Sequence, residues 1–189
     1  MAGRLFAIVG PSGAGKDTLI AGAKAHLPDL VVTKRVITRP AAAGGEDLEG
    51  VTEAEFGRRR DAEEFVIHWQ AHGLSYGIPA SIISDLNGGK TVIFNGSRAA
   101  LDRAQAQFPA LEVILITANP EVLADRLTAR GRETREDILE RLSRADLSAL
   151  AGLPVHRIDN NGALEDAVHQ LVTLIGQEAF TCPTFGDLL

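Results

Sequence analysis

A nine-residue stretch, Gly10-Pro11-Ser12-Gly13-Ala14-Gly15-Lys16-Asp17-Thr18, limits what this chain can fold into more than any other. It follows the apolar run Leu5-Phe6-Ala7-Ile8-Val9 and leads into Leu19-Ile20-Ala21-Gly22-Ala23, so it reads as the turn between a buried strand and a helix. In that setting glycines let successive backbone N–H groups point inward around a phosphate, while a lysine reaches the outer phosphates. Residues Gly10 to Thr18 are therefore the candidate nucleotide site, with Lys16 as its charged group. A glycine-rich turn that merely links a strand to a helix is the bland alternative. The position after the lysine is normally a serine or threonine whose hydroxyl binds Mg²⁺. Here it is Asp17, and the hydroxyl arrives one place later as Thr18. Both are candidate metal ligands, although Asp17 can instead pair with Lys16 or with an arginine further along.

The rest of the chain alternates strands with helices, which implies right-handed crossovers and a parallel sheet covered on both faces. Strands are expected at about residues 4–9, 91–95, 112–117 and 155–158, with Thr91-Val92-Ile93-Phe94-Asn95 apolar enough for burial on both sides. Leu30 to Thr38 is rich in β-branched residues and reads as one extended stretch ending before Pro40. Helices are expected to about His26, from Ser97 to Gln107, from Asn119-Pro120 to Ala129, from Glu133 to Leu150, and from Ala163 to Gln177. Thr52 opens a further short helix, with Glu55 completing a capping box. The fold class is thus α/β, a three-layer sandwich around a central parallel sheet of about five strands. Its core is residues 1–34 and 89–178, with a small lobe at 35–88, a lid at 130–141 and an unassigned tail at 179–189.

Composition narrows the function. The 189 residues are 45% hydrophobic and 23% charged, enough for one domain with a full core. A formal charge of −6 supplies no general positive field, which argues against nucleic acid or an anionic membrane as partner. Any anion site must be built locally. Cys182 is the only cysteine, so an intramolecular disulfide is impossible and a reducing compartment is expected. The apolar stretch after Arg4 is too short for a signal peptide, and nothing approaches a transmembrane length, so the expected location is the cytoplasm.

With Lys16, Arg39, Trp69 to Tyr76 and Arg130-Gly131-Arg132 in place, the chain resembles the guanylate kinase group of P-loop phosphotransferases over nearly its whole length. A sharper resemblance is to the ribose 1,5-bisphosphate phosphokinases within that group. It is carried by Gly-Lys-Asp-Thr at 15–18, Ile37-Thr38-Arg39-Pro40 with Gly44-Gly45-Glu46, Trp69 through Tyr76-Gly77, Asn95-Gly96-Ser97-Arg98 and Arg130-Gly131-Arg132-Glu133. The resemblance implies an enzyme of phosphonate breakdown that uses ATP and Mg²⁺, with small-molecule substrates. It implies that Arg130, Arg132 and Arg141 close over the γ-phosphate beside Lys16, and that Tyr76 keeps a phosphate-reaching hydroxyl.

The acceptor reading turns on chemistry missing from positions where a guanylate kinase grips the base. A guanine edge wants carboxylate acceptors, yet the counterparts are His68 and Asn95-Gly96-Ser97. Arg35 and Arg98 are gained instead. A substrate with two phosphates and no base needs cationic, bidentate donors, which arginine supplies. Arg35, Arg39, Tyr76, Asn95 and Arg98 are therefore the candidate acceptor-binding residues. Plainer roles stand beside these: Arg35 and Arg39 as partners of Glu46, Asp47 or Glu49, His68 as an ordinary strand residue, Trp69 as core, Arg58-Arg59-Arg60 as a solvated helix face, and Arg141 as an intrahelical partner of Asp137. A guanylate kinase and a noncatalytic binding module are the competing functions.

Overall fold

The first strand, β1 (Arg4–Val9), shows how the layers arise. Successive side chains of a strand point to opposite faces. Leu5, Ala7 and Val9 accordingly enter one core cluster while Phe6 and Ile8 enter another. Such a strand can only sit at the centre of a sheet covered on both sides. The computed structural model describes residues 3–39, 48–71, 73–129, 135, 153 and 155–176. The expected lid and the helix over 133–150, Arg135 apart, lie outside the described residues, as do the loop at 40–47 and the tail.

After β1 come α1 (Lys16–His26), β2 (Val31–Val32), β3 (Arg35–Ile37), β4 (Leu48–Gly50), α2 (Glu53–Asp61), β5 (Phe65–Ala71), β6 (Leu74–Pro79) and α3 (Ile82–Asn87). Then follow β7 (Thr91–Asn95), a 3₁₀ turn (Arg98–Ala100), α4 (Leu101–Gln107), β8 (Glu112–Thr117), α5 (Pro120–Thr128), β9 (Val155–Asp159) and a last helix, α6 (Leu164–Gly176). The main sheet has five strands in the order β2-β7-β1-β8-β9, every pairing parallel, as expected for the α/β class. On one face Leu19, Ile20 and Ala23 of α1, Leu123 of α5 and Val168 and Leu171 of α6 close the core. On the other face Leu101 and Ala104 of α4 join Ile67, Trp69 and Ile78 from a second sheet. Because β7 and β8 flank β1 and the chain leaves in opposite directions from this centre, a crevice forms at the strands' carboxyl ends.

The second sheet, in the order β4-β3-β6-β5, occupies residues 35–79. Its β5–β6 hairpin pairs Trp69 with Tyr76 and Gln70 with Ser75. Phe56 of α2 stacks on Phe65 with ring centroids 4.8 Å apart, and with Val36 they form a small separate core.

One expectation needs correcting, and one element went unread. Leu30 to Thr38 is not one strand: Val31 and Val32 pair with β7 of the main sheet, while Arg35–Ile37 pair with β4 and β6 of the second. Both halves satisfy the same β-branched preference, so composition gave no sign of the change of partner. The helix α3 was not anticipated; it has only six residues, too few to develop an amphipathic period. Thr52 does cap α2, its hydroxyl accepting from the Glu55 N–H at 3.2 Å.

Candidate active site

The loop after β1 is shaped by backbone demands its glycines meet. Gly15 caps α1 in the left-handed region at φ 89°, and a Cβ there would lie 2.6 Å from Asn160 Nδ2. At Gly10 a Cβ would run into the Ile116 carbonyl oxygen. Alanine at either position meets both steric and conformational resistance. The Lys16 ammonium stands over the loop, donating to the carbonyl oxygens of Gly10 at 2.9 Å and Pro11 at 3.0 Å. These are the parts of a triphosphate cradle: close backbone approach, the N-terminus of α1 and a cation above it. The residues present fit such a ligand.

Two asparagines brace this loop from opposite sides. Asn160, just past β9, is 3% exposed and donates from Nδ2 to the Ala14 carbonyl at 2.7 Å. Arg126 of α5 in turn donates to the Asn160 carbonyl at 2.9 Å. Asn95, at the end of β7, donates from Nδ2 to Asp17 Oδ1 at 2.6 Å. Its own Oδ1 is buried without a partner among the described residues. Asp17 is therefore held towards β7 by a neutral amide, a pairing that its neighbours in sequence do not suggest. Asp17 and Thr18 are both exposed at the start of α1, and a carboxylate and hydroxyl there are hard oxygen donors suited to a divalent cation.

The acceptor candidates gather on the second sheet and beside β7. Arg35 is 8% exposed, and its guanidinium carbon lies 5.8 Å from the centre of the Tyr76 ring. Tyr76 stacks on Trp69 at 5.2 Å with planes 8° apart, and Trp69 is itself core, 5% exposed. Arg39 follows Thr38, which exchanges hydrogen bonds with Ser75, and it lines a cavity of about 580 Å³ with Gly50 and Thr52. Arg98 opens the 3₁₀ turn three residues after Asn95. Thus Arg35 meets Tyr76 and Asn95 meets Asp17, whereas Arg130, Arg132 and Arg141 lie outside the described residues.

The arginine run on α2 is a network of ion pairs. Arg58 pairs with Glu55 and Glu64, Arg59 with Glu49 and Glu55, and Arg60 with Asp61. Hydrogen bonds from Arg58 and then Arg59 pull the Glu55 carboxyl down to about 2. Glu49, considered as a partner for Arg35, accepts from Arg59 at 2.7 Å. His68 is lowered from its ordinary value, first by burial and then by the charges of Arg103 and Arg60. Sequence reasoning missed Asn160, Arg126 and Arg103 because each acts through a contact distant in the chain. The only local hint was Asn160 standing directly after a strand, where open α/β sheets carry their functional residues.

This fold and this loop define a P-loop phosphotransferase. A sequence model of guanylate kinase matches residues 2–178, and the chain belongs to that family. Among curated relatives, the ribose 1,5-bisphosphate phosphokinase of Agrobacterium fabrum is 48% identical over 178 residues, covering 93% of this chain and 97% of that one. The enzyme of the same name from Ruegeria sp. is 48% identical over 177 residues, covering 93% of each chain. Among solved structures, the guanylate kinase of Anaplasma phagocytophilum superposes with a TM-score of 0.68 at 18% identity, over 92% of this chain and 85% of that one. The protein is thus an enzyme, a kinase of a family that uses ATP with a divalent metal. Among the described residues no helix is long and apolar enough to cross a membrane.

Proposed function

We propose that this protein phosphorylates the 1-phosphate of ribose 1,5-bisphosphate with ATP, yielding 5-phospho-α-D-ribose 1-diphosphate and ADP. The observation that carries the reading is near-full-length identity of 48% to kinases named for that acceptor. The acceptor side supports the reading in its chemistry: the approximate sequence counterparts of base-reading carboxylates are His68 and Asn95, neither of which is acidic, and Arg35 sits against Tyr76. Base-reading groups left without partners would be costly to bury, so a site without them rejects GMP.

In the reaction an oxygen of the 1-phosphate forms a bond to the γ-phosphorus. The bond from that phosphorus to the β,γ-bridging oxygen breaks, and ADP leaves with the electron pair. The attacking oxygen is already anionic near neutral pH, so no general base is assigned. Catalysis is then alignment and neutralisation of charge. The N–H groups from Ser12 to Thr18 and the Lys16 ammonium hold the β- and γ-phosphates. Arg35, Arg39, Tyr76 and Arg98 hold the acceptor, and the buried Asn95 Oδ1 can accept from one of its hydroxyls. Arg130, Arg132 and Arg141 are assigned to closure over the γ-phosphate, which excludes water. Mg²⁺, with Asp17 and Thr18 as its protein ligands, supplies positive charge to the transferring phosphates when bound. Residues 35–88 form the acceptor lobe, 130–141 the lid, and 1–34 with 89–178 the core. We assign the enzyme to the cytoplasm, where it serves phosphonate breakdown.

A coupled ADP-release assay tests this. Turnover with ribose 1,5-bisphosphate and none with GMP is expected. The reverse preference sinks the proposal, and silence with every acceptor points to a noncatalytic binding module.

A further inference from the structure

A cavity of about 350 Å³ opens where α2, β5 and the start of α4 meet. Its polar lining is Arg60, His68, Trp69, Gln70, Ser75 and Arg103, and none of its lining residues is acidic. Arg103 of α4 donates from Nη1 to the His68 carbonyl at 3.2 Å, and the same nitrogen lies 3.4 Å from His68 Nδ1. A guanidinium cannot accept, so Nδ1 is the acceptor in that contact and the ring proton sits on Nε2. Burial, and then the charges of Arg103 and Arg60, lower the ring's pKa and favour its neutral form. His68 therefore offers a donor. Gln70 and Ser75, which share its face of the hairpin, add an amide and a hydroxyl. Arg60 engages Asp61 through Nε and Nη2, which leaves Nη1. Arg103 is exposed, and among the described residues it bonds only to His68, whose carbonyl and neutral imidazole bring no negative charge.

Two permanent cations and several neutral donors thus converge from four elements on a concave surface with no acidic lining residue. That composition suits a dianion with oxygens in several directions, the case in which planar, bidentate arginine is most effective. We propose that this cavity binds a phosphate monoester, with Arg103 as its principal anchor.

The phosphate has two possible sources, the 5-phosphate of the acceptor or a free phosphate compound acting as an effector. The first rests on the function proposed above and deepens it. It is favoured by continuity: Ser75 precedes Tyr76 in β6, and Trp69 both lines the cavity and stacks on Tyr76. Strand alternation puts His68, Gln70 and Ser75 on the face opposite Tyr76, so the sugar would then span the edge of β5.

The test follows the His68 imidazole by NMR, its signal assigned by loss in His68→Gln, as the whole protein is titrated with inorganic phosphate and with ribose 5-phosphate. A saturable shift with a rise in the His68 pKa is expected, because an anion offsets the arginine charges. Arg103→Ala should abolish the response and Arg103→Lys should keep part of it. If the same Arg103→Ala raises KM for ribose 1,5-bisphosphate roughly ten- to hundredfold but not KM for ATP, the occupant is the acceptor's own phosphate. If the NMR response is lost while both KM values stay put, the occupant is a free phosphate compound. A wild-type His68 signal unmoved by either ligand overturns the proposal, as does a full response in Arg103→Ala. A response in a protein that does not phosphorylate ribose 1,5-bisphosphate would remove the proposed function and leave this site standing.

Discussion

Replacing Asn160 tests how far the phosphate loop depends on a brace outside it. The amide donates to the Ala14 carbonyl at 2.7 Å in a place where both residues are buried. Asn160→Ala removes the donor and leaves that carbonyl unpaired, at a cost of about 1–3 kcal/mol. For a domain of this size each kcal/mol lowers Tm by roughly 2–4 °C, so a fall of about 2–12 °C is expected by calorimetry. Asn160→Asp should be worse at neutral pH, because a carboxylate oxygen would face the carbonyl oxygen and a negative charge would stand beside the site meant for a triphosphate. KM for ATP should rise in both variants, and by roughly ten- to hundredfold more in the carboxylate form. The two separate on acidification. A protonated carboxyl is again a donor, so Asn160→Asp should regain stability relative to wild type as the pH falls through the carboxylate range, while Asn160→Ala should not. A wild-type Tm and a wild-type KM for ATP in Asn160→Ala would refute the bracing role.

Other expectations are simpler to measure. Lys16→Ala should lower kcat roughly 10²–10³-fold or more with the fold intact by circular dichroism, because a charge-stabilising group is removed. Arg35→Ser should chiefly raise KM for the acceptor, and an unchanged value would withdraw Arg35 from the acceptor site. Asn95→Leu removes a hydrogen bond to the Asp17 carboxylate and should raise the Mg²⁺ concentration needed for half-maximal activity. The Glu55 carboxyl, held at about 2 when folded against an ordinary 4.5, contributes stability that is fully present above 4.5 and lost as the pH falls towards 2. Glu55→Gln should therefore lower Tm at pH 7 and make no difference below pH 2, provided ionic strength is held constant.

The central sheet was legible because its signals are local. Leu5 to Val9 had to be a doubly buried strand, the glycines had to be a turn, and Asn119-Pro120 had to open a helix, each for reasons contained within a few residues. Within the candidate site, residue type alone singled out Lys16 and Arg35, which the fold sets over the glycine loop and against Tyr76 respectively. The site was not legible where a role depends on distant partners. Asp17 meets Asn95 across 78 positions and Asn160 meets Ala14 across 146, and an asparagine carries no periodic signature. The split of residues 30–38 was hidden for a similar reason, since β-propensity marks extended backbone but not the neighbour it pairs with.

That split fixes a lever. Only Thr33 and Lys34 separate a strand of the main sheet from a strand of the second sheet, and the Thr33 N–H is still tied to Ile93 at 2.8 Å. On the function proposed above, this joint, together with the second crossing through α3 and the core the two sheets share, helps set how the two phosphates approach one another. A proline or an inserted glycine at Lys34 would leave each half-site chemically whole and each substrate bound, yet spoil the line of attack. Its kinetic mark is a fall in kcat with little change in either KM, the signature of lost aim rather than lost grip.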